Sequence, residues 1–172
     1  MLRRSLFAVL FAPGLAFAQG SYGPAAVAPA GAPVALEPGT RHFHVITVHY
    51  DGLTGLTASA AHPAEAFPAA AMPPGGGLLL RAPNAEGNWS VRAFVFHPQQ
   101  IIVQQGDRIA LTFVDVQGPA FRIAVDGIAE PIAIRRGETR TVTLTAERAG
   151  RIAYRALDQQ PSMSGEIVVL PR

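Results

Sequence analysis

The chain has 172 residues, 49% of them hydrophobic and 15% charged, which is enough apolar material for one packed domain with appendages. Its 14 basic residues are all arginine; once the two in the leader are set aside, the rest balance the 12 acidic residues, so no basic face for nucleic acid is expected. There is no cysteine, which excludes disulfides, thiolate metal sites and a lipid-anchoring cysteine.

Met1-Leu2-Arg3-Arg4, the apolar run 6–16 and the small-x-small ending Ala16-Phe17-Ala18 have the three parts of a secretory signal, with cleavage expected after Ala18. Arg3-Arg4-Ser5-Leu6-Phe7 is compatible with either general or twin-arginine export. The apolar run is too short to span a bilayer, which takes roughly 20 residues, so no transmembrane segment is expected in the mature chain. Residues 19–40 are mostly Ala, Pro, Gly and Val, and read as a flexible tether with little to bury.

Residues 41–50 predict a strand: Val45, Ile46, Thr47 and Val48 are β-prone, and Asp51-Gly52 signals a turn after them. Residues 53–77 form a long Ala- and Pro-rich connection, read as a wrapping or functional segment. Leu78-Leu79-Leu80 predicts a short strand and 89–96 another, with residues 41–93 forming a region distinct from the 94–171 core. Beyond it, turns recur at Gly106-Asp107, Gly118-Pro119, Asp126-Gly127, Arg136-Gly137 and Ala149-Gly150. Alternating runs lie between them: Ile109/Leu111/Phe113, Phe121/Ile123/Val125, and Val142/Leu144 against Thr141/Thr143/Thr145. This spacing predicts an all-β, Greek-key antiparallel β-sandwich with no long helix, Trp89 or Phe96 joining Phe113 and Ile123 in its core. Arg135-Arg136 reads as a solvated turn.

Two stretches carry a family likeness. The first runs from Phe94-Val95-Phe96-His97-Pro98 through Ile101-Ile102-Val103 to Gly106-Asp107. The second runs from Gly150 through Tyr154-Arg155-Ala156 to Met163-Ser164-Gly165 and the final apolar strand. Together they resemble the cupredoxin, or blue-copper, family over Phe94 to Leu170. The resemblance implies a cupredoxin-like sandwich, and it also marks where copper ligands would fall. The first histidine position is Pro119 or Phe121, the cysteine position Ala156, and the second histidine position Gln159 or Gln160; only Met163 keeps a ligand type. A blue-copper centre needs a thiolate and two imidazoles. The resemblance therefore implies the fold without type 1 copper, with Met163 filling core space and Gly165 admitting the turn into the last strand.

Other candidates are the histidines. His42 and His44, two apart on one strand, share a face, with His49 on the other. His97 is expected at the same end as the 115–120 loop, near Asp158 and Met163, if 101–105 and 108–114 run antiparallel around Gly106-Asp107. The sequence has no HExxH, no G-x-S-x-G and no triad, so no enzyme is expected. The reading is an exported, periplasmic, non-catalytic binding or accessory module with no cofactor and a periplasmic protein partner. Its alternative is a periplasmic copper-binding or electron-transfer protein using His42, His44 and His97 with Met163. Leu56, Phe67 and Met72 in the 53–77 segment are the expected contact anchors.

Overall fold

The structure, a computed structural model, describes residues 25–56, 64–68 and 77–172. The leader at 1–18, the start of the tether and Met72 lie outside the described residues. Eleven strands follow one another: β1 (Ala26–Val27), β2 (Thr40–Gly55), β3 (Leu78–Arg81), β4 (Asn88–His97), β5 (Gln100–Gln104), β6 (Arg108–Asp115), β7 (Phe121–Val125), β8 (Ile132–Ile134), β9 (Thr139–Thr145), β10 (Gly150–Ala156) and β11 (Ser164–Leu170). They form a six-stranded sheet in the order β1-β9-β6-β2-β4-β3 and a five-stranded sheet in the order β5-β11-β10-β7-β8.

The expected sandwich stands, but its sheets are mixed. β2 runs parallel to β6 and β5 parallel to β11, while the other pairs are antiparallel. Parallel neighbours need long connections, and several strands intervene in each case, so no local pattern announces them. The Gly106-Asp107 turn likewise joins strands of different sheets and closes no hairpin. The turn expected at Asp51-Gly52 does not form: β2 continues through both residues, which pair with Arg92 and Val91. A bidentate ion pair from Arg92 to Asp51, at 2.6 and 2.7 Å, fastens the two strands there. Within the stretch expected to be a tether, Ala26 and Val27 pair with β9, and Ala28 N–H donates to the Thr141 carbonyl at 2.8 Å.

The period-2 apolar runs build the core. On β5, Ile101 and Val103 are buried while Ile102 is exposed; on β7, Phe121, Ile123 and Val125 are buried and Arg122 is exposed. Phe96, Phe113 and Tyr154 meet in the centre with ring centroids 5.4–5.8 Å apart, edge-on or tilted. Such aromatic contacts add about 0.5–1.5 kcal/mol per pair beyond burial. The Tyr154 hydroxyl donates to the Pro98 carbonyl at 2.9 Å, and burial pushes its pKa above the usual range. Gly165 has a different job from the one expected: it lies within β11 opposite Tyr154, and a Cβ there would collide with the tyrosine ring. Trp89 stays half-buried outside the core and meets Phe67 edge-on, with centroids 5.4 Å apart.

β2 outruns the sandwich. Its pairing with β6 ends at Thr47, and from Val48 onward β4 is its only strand partner among the described residues. With β3 on the far side of β4, this makes a three-stranded extension beyond the end where the 116–120 and 157–163 loops lie.

Candidate functional site

At that end lie the loops and strand ends that carry Pro119, Phe121, Ala156, Gln159, Gln160 and Met163, the positions implied by the family pattern. Ala156 ends β10 and pairs with Ile123 on β7, two residues along from Phe121. Phe121 and Ala156 are buried, and Phe121 packs edge-on against Phe94 at 5.8 Å between centroids. Met163 is buried as well, so its thioether faces a hydrocarbon environment. The 157–163 loop closes on itself: Ala156 N–H donates to the Met163 carbonyl at 3.0 Å, and Met163 N–H to the Gln159 carbonyl at 2.9 Å. The Gln160 side-chain amide donates to the carbonyls of Ala156 and Met163 at 2.8 and 3.1 Å. Gln160 thus adds a second donor to two carbonyls that already accept from backbone N–H groups, tying the loop to the end of β10. Pro119 is exposed on the neighbouring loop. This donor set does not fit a type 1 copper centre, which needs sulfur and two ring nitrogens in one place.

The histidines lie elsewhere. His42 and His44 share the outward face of the six-stranded sheet, with ring centroids 4.5 Å apart. His42 Nε2 and the Thr112 hydroxyl are hydrogen-bonded at 2.8 Å, and Thr112 in turn pairs with the Thr141 hydroxyl at 2.7 Å. Burial first, and the neighbouring His44 second, lower the pKa of His42. His97 is exposed on the same face, opposite Ile46, at the level where β6 ends. Met163 lies inside the sandwich, so the four-residue set His42, His44, His97 and Met163 does not converge. Among the described residues no group of three or more His, Cys, Asp or Glu side chains is placed to hold a metal ion.

Sequence reasoning missed the polar construction next to these positions. Thr47 and Asp115, on adjacent strands, are both fully buried. The Thr47 hydroxyl donates to Asp115 Oδ1 at 2.7 Å and accepts from Val116 N–H at 3.0 Å. Asp115 Oδ2 has no hydrogen-bond partner among the described residues. Burial raises the Asp115 pKa, against the opposing hydrogen bond from Thr47 and the field of Arg136. These contacts hold the start of the 116–120 loop against β2, and the Gln117 side-chain oxygen accepts from His49 N–H at 3.0 Å.

Between that loop and β2 and β4 lies a cleft of about 330 Å³. Phe94, Val116 and Pro119 supply apolar wall, and His49, Arg92 and Arg136 supply polar groups. Arg136 is no free solvated side chain: its Nε and Nη2 donate to the Gly118 carbonyl at 3.1 and 2.8 Å. Gly118 is required there, since its φ is +117° and a Cβ would strike the Phe121 ring. His49 Nε2 lies 3.1 Å from Asp51 Oδ2, the carboxylate that Arg92 also grips. That grip holds the Asp51 pKa below the usual carboxylate range. Four separate segments build the cleft, so no local motif could have disclosed it.

No family model matches the sequence, and no curated protein matches it. Solved structures do. Auracyanin A, a blue copper protein from Chloroflexus aurantiacus, is 22% identical over 44% of this chain and 89% of its own, with a TM-score of 0.36. A reduced mutant of amicyanin is 17% identical over 44% of this chain and 73% of its own, with a TM-score of 0.35. The copper nitrite reductase of Nitrosomonas europaea is 18% identical over 77% of this chain and 42% of its own, with a TM-score of 0.46. The chain therefore spans under half the length of that reductase. Among the described residues no helix is long and apolar enough to cross a membrane.

Proposed function

We propose that this chain is an exported, periplasmic, cupredoxin-like module that lacks a type 1 copper site and acts by binding, as a non-catalytic accessory protein. One observation carries the reading. The position implied for the thiolate is Ala156, and those implied for the imidazoles are Pro119 or Phe121 and Gln159 or Gln160; of these, Ala156 and Phe121 are buried in the core, and the Gln160 amide is bonded within its own loop. A fold can be kept while its site is lost, and function then rests with the surface. A periplasmic protein partner is the proposed occupant of that surface. Leu56 (46% exposed) is a free anchor for it, whereas Phe67 already packs on Trp89.

The rival reading, a copper-binding or electron-transfer protein, draws on the closeness of the His42 and His44 rings. Cu(II) titration of the purified protein separates the two. The expected result is no intense blue thiolate band, and any weak adduct should disappear in the His42→Ala/His44→Ala double variant. A stoichiometric, strongly coloured adduct would overturn the copper-free reading.

A further inference from the structure

The cleft between the 116–120 loop and strands β2 and β4 has its own chemistry, carried by groups other than metal ligands. Arg136 is the key group. Two of its N–H donors are fixed on the Gly118 carbonyl, yet it forms no ion pair among the described residues. A guanidinium carries five donors in a rigid fork, so donors remain once those two are used. Glu138, the acidic residue nearest in sequence, is committed to Arg135 N–H at 3.0 Å. On the opposite wall Arg92 shares a single carboxylate, Asp51, with His49, and Arg81 also lies within electrostatic reach of that carboxylate. Asp115 lies behind the loop, buried, with the raised pKa that burial gives it.

The cleft thus places two guanidiniums and the His49 ring beside the exposed carboxylate of Asp51, with the buried Asp115 and the half-buried Glu138 on the far side of the loop, next to the apolar surfaces of Phe94, Val116 and Pro119. Positively charged donors held in place beside an apolar wall fit a planar anion carried on a hydrophobic body. Phosphate would match the charge but would leave the apolar wall unused. We infer that this cleft binds a carboxylate attached to an apolar group, with the carboxylate on Arg136 and the apolar body against Phe94 and Pro119. The carboxylate can come from a free small acid or from the C-terminus of a peptide.

The test uses the full mature protein and two pairs of probes followed by NMR shift titration. The pairs are benzoate against benzamide, and a tripeptide ending in phenylalanine against the same peptide amidated at its C-terminus. Charge-assisted hydrogen bonds support at least about a tenfold preference for each acid over its amide. The shifts should map to His49, Phe94 and the 116–120 loop. Tighter binding of benzoate than of the tripeptide assigns a small acid, and the reverse assigns a chain terminus. Arg136→Gln should reduce acid binding to the level of the amide, Arg136→Lys should retain part of the preference, and Arg135→Gln should leave it intact. If the clasp on Gly118 is only structural, Arg136→Gln lowers the melting temperature and leaves the acid-to-amide ratio unchanged, which overturns the inference. Equal binding of acid and amide, absence of binding by all four probes, or a preference abolished by moderate salt as for loose surface attraction overturns it too. None of these outcomes depends on copper, so the inference can fail while the proposed module stands.

Discussion

A single strand, β2, passes through two environments, and the contrast shows where the stability of the molecule lies. At Val45 and Thr47 it is fully buried, with both residues paired to β6 and Thr47 also to β4. On the same face, Leu53 is 80% exposed, although β4 still pairs with it. Pairing with β4 continues while pairing with β6 ends at Thr47, so the outer half loses a neighbour in its own sheet. Backbone hydrogen bonds carry the sheet outward, but only packing against a second layer removes apolar area from water. The inner half behaves as core. The outer half is a platform met by β4 and, at His49, by the 116–120 loop.

The comparison breaks most visibly if the inner half proves soft. Phe96→Ala empties the centre of the cluster with Phe113 and Tyr154, and should cost about 3–5 kcal/mol in urea unfolding. A cost under about 1 kcal/mol would mean that the two layers are not joined there.

Thr47 and Asp115 sharpen it at the boundary. Thr47→Val leaves a buried carboxylate with neither oxygen satisfied, and should cost about 1–3 kcal/mol. Asp115 also sets a pH dependence of unusual sign. With its folded pKa raised, the native state holds a proton that the unfolded state releases. Its stabilising contribution is therefore complete below the ordinary carboxylate range and is lost as pH rises through the raised value. Asp51, Asp107 and Asp158 have lowered pKa values through Arg92, Arg41 and Arg122 respectively, so their contributions are lost as pH falls. His42, lowered by burial, overlaps part of the window. The informative quantity is therefore the difference between Asp115→Asn and the parent chain. The variant should gain relative stability as pH rises above the ordinary carboxylate range, and a flat difference across urea midpoints measured from pH 3 to 8 would contradict the assignment.

The smallest effect belongs to the platform. Leu53→Ser should shift stability by no more than about 0.5 kcal/mol, as exposed substitutions do. A loss comparable with that of Phe96→Ala would show that the extension is covered in solution.

Much of the sandwich was legible residue by residue. Period-2 runs bounded by glycine turns marked β5 to β7 and β9 to β11, because alternate side chains of a half-buried strand must differ in polarity. The short β8 (Ile132–Ile134) carries too little pattern to stand out. Asp51-Gly52 misled, since a turn signal is a local preference and the β4 pairing with the Arg92 ion pair outweighed it. The shared face of His42 and His44 followed from alternation alone, but their separation from Met163 by the thickness of a sheet could not.

The sequence by itself determined the composition of the core, the absence of a thiolate and the polar or apolar character of each face, because these depend on residue type and short-range period. Only the tertiary structure decided which strands run parallel, how far β2 extends past its neighbours, and that Arg136 reaches Gly118 while Thr47 reaches Asp115. Those facts depend on contacts between residues 18 to 68 positions apart. Such contacts form when distant segments pack together to bury their apolar faces, and no local window of sequence contains both partners.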